Sequence, residues 1–199
     1  MNLRSPAILV SARPHGETAV IARLLTEEHG LVAGYVAGGR GRNLRPVVIP
    51  GNLVEVELRS KSDSQLPFAR LELVQSRGPW LGEPLPAIAI GWATALTATV
   101  LPERNAYPSL YVALGALLDA VCNAGSAREW LRGMIAYEAL LLRELGYGGA
   151  VPAAEAELAP LLEIFALQGP LIERYLLADR KADVMAARGR LRERLGRMV

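Results

Sequence analysis

The chain is poor in the residues on which most metal and covalent chemistry depends. Its 199 residues hold one cysteine, Cys122, and two histidines, His15 and His29. A lone cysteine excludes an intrachain disulfide and a cysteine-based zinc site among these residues. The histidines stand apart in a stretch without helical periodicity, so no metal and no cofactor is expected. Lysine is nearly absent too: Lys61 and Lys181 stand against twenty arginines. Neither lysine follows a glycine, which excludes the Gly-Lys-Ser/Thr phosphate loop. The run Gly38-Gly39-Arg40-Gly41-Arg42-Asn43-Leu44 approaches a dinucleotide fingerprint, but Leu44 stands where the last glycine belongs. No G-x-S-x-G elbow occurs and no carboxylate pair is singled out by spacing. These absences do not exclude an enzyme, but nothing here advertises one, and a non-enzyme is the expectation.

Long apolar runs are lacking as well. The stretch Ala7 to Val10 is too short for a secretory signal. The nineteen uncharged residues between Glu83 and Glu103 approach the ~20 that a membrane span needs. Pro84, Pro86 and Pro102 cut their helical part to residues 87–101, and Thr94, Thr97 and Thr99 lie within it. The segment reads as a buried core helix. The expectation is a cytoplasmic, soluble protein with no membrane partner.

What is present supports a packed core: 51% of residues are hydrophobic and 21% charged. The N-terminal eighty residues carry short alternating or β-branched runs at 7–13, 18–26, 31–37, 53–59 and 68–75. The fourth is the clearest, with Val54, Val56 and Leu58 facing one way and Glu55, Glu57 and Arg59 the other. Pro14-His15-Gly16, Glu28-His29-Gly30 and the stretches 38–46 and 60–67 supply turns between them. Five short strands predict a small closed barrel, with the five-stranded OB fold as leading candidate. From Trp80 onward the texture is helical, with segments expected at 86–101, 108–123, 126–145, 153–167 and 170–197, the last interrupted near 178–182. Ser126-Ala127-Arg128-Glu129 reads as a capping box and Gly146 as a C-terminal cap. Trp130, Met134, Tyr137, Leu141 and Leu145 form one apolar stripe. The fold class is therefore α+β, all-β then all-α: an OB-fold nucleic-acid-binding domain over 1–80 and a helical domain over 81–199.

Charge sharpens the functional reading. The whole chain is nearly balanced, 22 Lys+Arg against 20 Asp+Glu, so distribution decides. Arg40, Arg42 and Arg45 lie in one glycine-containing loop between barrel strands, without an acid nearby in sequence. Guanidinium groups suit bidentate phosphate contact. The alternatives are a solvated surface loop and an arginine bias of genomic composition. A second basic cluster, Arg190, Arg194 and Arg197, flanks Leu191, Leu195 and Met198, and it suits the helix dipole more simply than it suits DNA. Aromatics are few in the barrel, namely Tyr35, Phe68 and Trp80. Nucleic-acid binding should then depend on phosphates and be weakly sequence-specific. The barrel and arginine loop alone also allow an RNA-binding module, or a non-catalytic adaptor built on the helical domain.

Four blocks carry a resemblance. Arg13-Pro14-His15-Gly16-Glu17-Thr18, Thr26-Glu27-Glu28-His29-Gly30, Val36-Ala37-Gly38-Gly39-Arg40 and Tyr137-Glu138 through Leu145-Gly146-Tyr147-Gly148 resemble, in order and spacing, the RecO family of bacterial DNA repair proteins. The resemblance covers about residues 7–148. It implies an N-terminal OB fold, a helical C-terminal domain and no nucleotide hydrolysis. It implies binding of single- and double-stranded DNA, annealing of complementary strands, and work with RecR and the acidic tail of single-stranded DNA-binding protein (SSB) to load RecA. Arg13, Arg40, Arg42 and Arg45 become the expected DNA contacts. Arg128, Arg132 and Arg143, with Ile135, Ala139 and Leu142 on the same side of one helix, become an expected receptor for the tail; the competing reading packs that apolar side against a neighbouring helix. Many family members carry a zinc-binding cysteine cluster just after the Leu-Gly-Tyr motif. Here residues 148–154 hold neither cysteine nor histidine, so the zinc module looks deleted.

Overall fold

The computed structural model describes residues 2–60, 62, 65–148, 157–178 and 184–198. Five strands come first: β1 (Asn2–His15), β2 (Ala19–Thr26), β3 (Gly30–Val36), β4 (Leu53–Arg59) and β5 (Phe68–Gln75). They close into a barrel of order β1-β2-β3-β5-β4, antiparallel throughout except for the parallel β3–β5 pair. This is the OB fold expected from the alternation. The inward set is Leu9, Ala22, Leu24, Val32, Val54, Val56, Leu58 and Leu71, all buried. Burying each large aliphatic among them stabilises the barrel by about 1.5–3 kcal/mol.

Strand β1 is longer than its own sequence suggests, because its first residues pair with β4: Asn2 with Arg59 through Ile8 with Leu53. A bulge follows. Leu9 pairs with Leu24 and Ser11 with Arg23, which leaves Val10 as an extra residue. The bulge resets the alternation, so that Leu9 and Ala12 both face the core while Arg13 and His15 face outward.

Five helices follow: α1 (Pro84–Val100), α2 (Pro108–Asn123), α3 (Ala127–Glu144), α4 (Leu158–Leu176) and α5 (Val184–Gly196). Helix α1 is the expected core helix, with Ile90, Trp92, Ala93 and Leu96 buried. The hydroxyls of Thr94, Thr97 and Thr99 donate to carbonyls one turn back, which satisfies them in apolar surroundings. No helix among the described residues is long and apolar enough to cross a membrane.

Two expectations need correction. The fourth and fifth segments do not divide before Pro170: α4 runs through that proline to Leu176, and the last helix begins only at Val184. Proline normally breaks a helix interior by removing one hydrogen bond, but Phe165, Gln168 and Ile172 on either side of it are buried, and this packing holds the helix on course. The capping box is also incomplete. The Ser126 hydroxyl donates to the Glu129 carboxylate at 3.2 Å instead of accepting from the backbone. The C-terminal cap does form: Gly146 donates to Arg143 and Tyr147 to Leu142, at 3.0 and 2.7 Å. The expected start of the fourth helix at 153 and, Gly148 apart, the stretch of the inferred zinc deletion fall within residues 149–156, outside the described residues.

The chain divides into two compact units. One comprises Met1–Gly82 with Leu101–Tyr111, the other Glu83–Val100 with Val112–Val199. In the first, the returning segment binds the barrel: the Arg104 amide donates to the Leu31 carbonyl at 2.9 Å, and Arg23 pairs with Glu103 at 3.3 Å. In the second, Glu138 of α3 is wholly buried and accepts from Trp92, Gln168 and Arg188, which come from α1, α4 and α5.

Candidate nucleic-acid interface

The arginine loop is an ordered series of turns rather than a slack connection. Residues 37–48 form turns and bends throughout. Amides of Gly41, Arg45, Val47 and Val48 donate back to carbonyls of Gly38, Gly41 and Leu44 at 2.8–3.0 Å. Val47 is in the barrel core, and Leu44 and Val48 pack against it. Those apolar residues were the sequence signal that this loop folds onto the barrel. Its end is fastened by buried Asn52. The Asn52 amide donates to the Pro46 and Val47 carbonyls, and its oxygen accepts from the Arg77 amide at 2.8 Å.

A groove of about 520 Å³ lies between this loop and the β1–β2 turn, with Arg40 and Arg45 among its walls. Arg40 bridges the two sides. Its backbone amide donates to the Thr18 carbonyl at 2.9 Å, and its guanidinium donates to the Glu17 carbonyl at 3.0 Å. It therefore positions the loop as well as carrying charge. Arg42 and Arg45 are exposed, and their side chains make no hydrogen bond or ion pair among the described residues. Their donors are free for an anion, and five N–H groups in a planar fork match phosphate oxygens. Glu17 also lines the groove, so an acid far away in sequence stands beside the arginines.

Arg13 is elsewhere. The neighbouring residues Ala12 and Pro14 line the groove, whereas Arg13 pairs with Ile21 on the outer face of the strand. The structure thus brings Arg40 and Arg45 together, leaves Arg42 exposed on the same loop, and separates Arg13 from them.

The expected receptor on α3 changes more. Ile135 and Leu142 are wholly buried and Ala139 nearly so. The Ile135 carbonyl accepts from Gln168 of α4 at 3.1 Å. Ile135 is therefore unreachable by a partner, because α4 packs over that side of α3. Arg128, Arg132 and Arg143 remain exposed. Arg128 forms an ion pair with Glu157 at 2.9 Å.

Zinc does not fit. Cys122 lies on α2, His15 ends β1 and His29 occupies the β2–β3 turn. Among the described residues no three metal-ligating side chains gather.

A closed five-stranded OB barrel, followed along the chain by all-helical elements, defines a two-unit OB-fold protein with a basic loop at the barrel. Comparison with known proteins gives the family. Residues 1–77 match the family model described as Recombination protein O N terminal, and residues 86–151 match Recombination protein O C terminal. The chain is 41% identical over 149 residues to the DNA repair protein RecO of Rhodospirillum centenum, covering 74% of this chain and 58% of that protein. It is 39% identical over 150 residues to RecO of Caulobacter vibrioides, covering 74% and 60%. RecO of Phenylobacterium zucineum is 37% identical with the same coverage. The chain belongs to the RecO family. The match spans less than two thirds of the length of these relatives.

Proposed function

We propose that this chain is a non-catalytic DNA-binding mediator of recombinational repair. It binds single- and double-stranded DNA, anneals complementary strands, and with RecR assists RecA loading on single strands coated by SSB. The observation that carries the DNA reading is the pair of exposed guanidinium groups of Arg42 and Arg45, without partners among the described residues, on a loop whose backbone is already fixed. Fixing the loop beforehand lowers the ordering cost of binding. Arg40 adds charge beside them while its side chain holds the loop to the β1–β2 turn. The RecO names of the relatives support the repair setting. Annealing follows from the same chemistry: neutralising phosphates on two strands removes the repulsion that keeps them apart.

The test is binding of DNA against salt. Removing one arginine–phosphate pair lowers the slope of log affinity against log salt by roughly 0.7–0.9. The double variant Arg42→Ala/Arg45→Ala should give up one to two such increments, about equally for all sequences, with an unchanged melting temperature. Wild-type affinity and slope in that variant would remove the loop from the DNA interface. Competition by RNA at equal affinity would point instead to a general nucleic-acid module.

A further inference from the structure

A second surface crosses the outside of the barrel, apart from the groove residues. Pairing sets Arg13 opposite Ile21, Ile21 opposite Tyr35, Tyr35 opposite Phe68 and Phe68 opposite Arg59. Residues in register across a sheet share a face. This row faces outward, since the adjoining residues Ala12, Val20, Val36, Ala69 and Leu58 belong to the core. Phe68 is 65% exposed. The Tyr35 ring meets the Phe68 ring edge-on with centroids 5.4 Å apart, and the His15 ring meets Tyr35 in the same way at 5.9 Å. Three rings from β1, β3 and β5 thus form one continuous strip with a guanidinium toward each end. The Arg13 side chain makes no hydrogen bond or ion pair among the described residues, and the Arg59 side chain bonds only the half-buried carboxylate of Glu57. Beside Phe68 lies an open cleft of about 550 Å³, bordered by Asn2, Arg59 and Leu66. That volume is in the range of small-molecule sites, about 300–1,000 Å³.

We propose that this strip is a stacking platform for unpaired bases of single-stranded DNA, with Arg13 and Arg59 taking the flanking phosphates. The proposal rests on the DNA-binding reading above and adds a discrimination to it. A duplex keeps its bases stacked on one another and offers the barrel only its backbone. A single strand can lay bases on aromatic faces while its phosphates reach cations on either side. A guanidinium stands toward both ends of the strip, that of Arg13 unpaired among the described residues and that of Arg59 shared with Glu57, which suits a polyanion threaded along the row. The expectation of purely phosphate-dependent binding came from the scarcity of aromatics along the chain; the fold gathers two of those few, and a histidine, into one place.

The test compares a labelled oligothymidylate with a duplex of equal length, measured by fluorescence anisotropy on the full chain. Phe68→Leu keeps the apolar bulk and removes the π face. The double variant His15→Ala/Phe68→Leu should bind the single strand about fivefold or more weakly, the lower bound for one stacked base. Its duplex affinity and salt slope should stay at wild-type values. Phe68→Trp should restore single-strand affinity, which separates stacking from any loss of folding. Quenching of a 2-aminopurine base in the oligonucleotide should disappear in Phe68→Leu and return in Phe68→Trp. Unchanged single-strand affinity in the double variant overturns the platform and leaves the loop reading standing. Equal weakening on single strand and duplex, or no rescue by tryptophan, overturns it as well. A Phe68→Leu chain that no longer binds RecR but keeps the single strand makes the strip a protein-docking face and overturns it. Wild-type protein that binds neither form of DNA removes the DNA-binding reading and the platform together.

Discussion

Glu138 occupies a position where one side chain joins four helices. Its carboxylate accepts from the Trp92 indole at 2.8 Å, from Gln168 at 2.9 Å, and twice from Arg188 at 2.9 and 2.8 Å. The Arg188 guanidinium also stacks 3.8 Å from the centre of the Phe165 ring. Removing one partner of such a buried pair leaves an uncompensated charge and costs about 3–5 kcal/mol. Arg188→Met should lower stability by that amount in urea unfolding. Glu138→Gln/Arg188→Met should cost less than Arg188→Met alone, since no lone charge then remains buried. A double variant less stable than the single would show that the pair's charge is not what matters. The sequence exposed part of this. Glu138 was visible only as part of the Tyr137–Gly148 block, beside the stripe of Trp130, Met134, Tyr137 and Leu141, all of them buried as periodicity predicts. Its partners did not stand out: Arg188 looked like one of many C-terminal arginines, because burial of one guanidinium is decided by the opposing carboxylate and not by its own helix.

At the scale of elements, alternation located β2 to β5 within a residue or two, since one face of each strand is core. The first five residues of β1 escaped notice because β4 recruits them by backbone pairing, for which Arg4, Ser5 and Pro6 give no pattern. Turn glycines were legible as turns but not as close approaches. Gly16 and Gly30 both have positive φ, +59° and +65°. Around Gly16 the space is open, whereas a Cβ at Gly30 would overlap the Asn105 carbonyl group. Gly16→Ala should cost about 1–2 kcal/mol, the penalty of left-handed backbone alone. Gly30→Ala must in addition displace backbone, so chemical denaturation should show it distinctly more destabilised. Equal costs at the two positions would mean that residue 105 does not press on this turn. The arginine loop illustrates the same limit. Its basic charge was plain, but the strut from Arg40 to the β1–β2 turn and the presence of Glu17 in the groove are long-range facts.

At the scale of the whole molecule, no three metal-ligating side chains gather among the described residues. Cys122, His15 and His29 belong to separate elements, and the helical unit is instead knit by Glu138 and Arg188. Purified protein should contain no stoichiometric zinc, and a chelator should leave its melting temperature unchanged; a chelator-induced drop would contradict this. Fold class was legible here because local periodicity switches from two to 3.6 near residue 80. The assignment of Leu101–Tyr111 to the barrel unit was not, because its ties are a backbone hydrogen bond to Leu31 and an ion pair to Arg23. That assignment has a consequence for inheritance. The barrel unit is not a cassette that a single crossover could transplant: a gene fusion joined near residue 83 would carry the strands but leave their 101–111 brace to the recipient. The tight fit of Asn105 over Gly30 would then be met by a foreign backbone. Exchange of this barrel between relatives should therefore succeed only where the brace and the β2–β3 turn travel together.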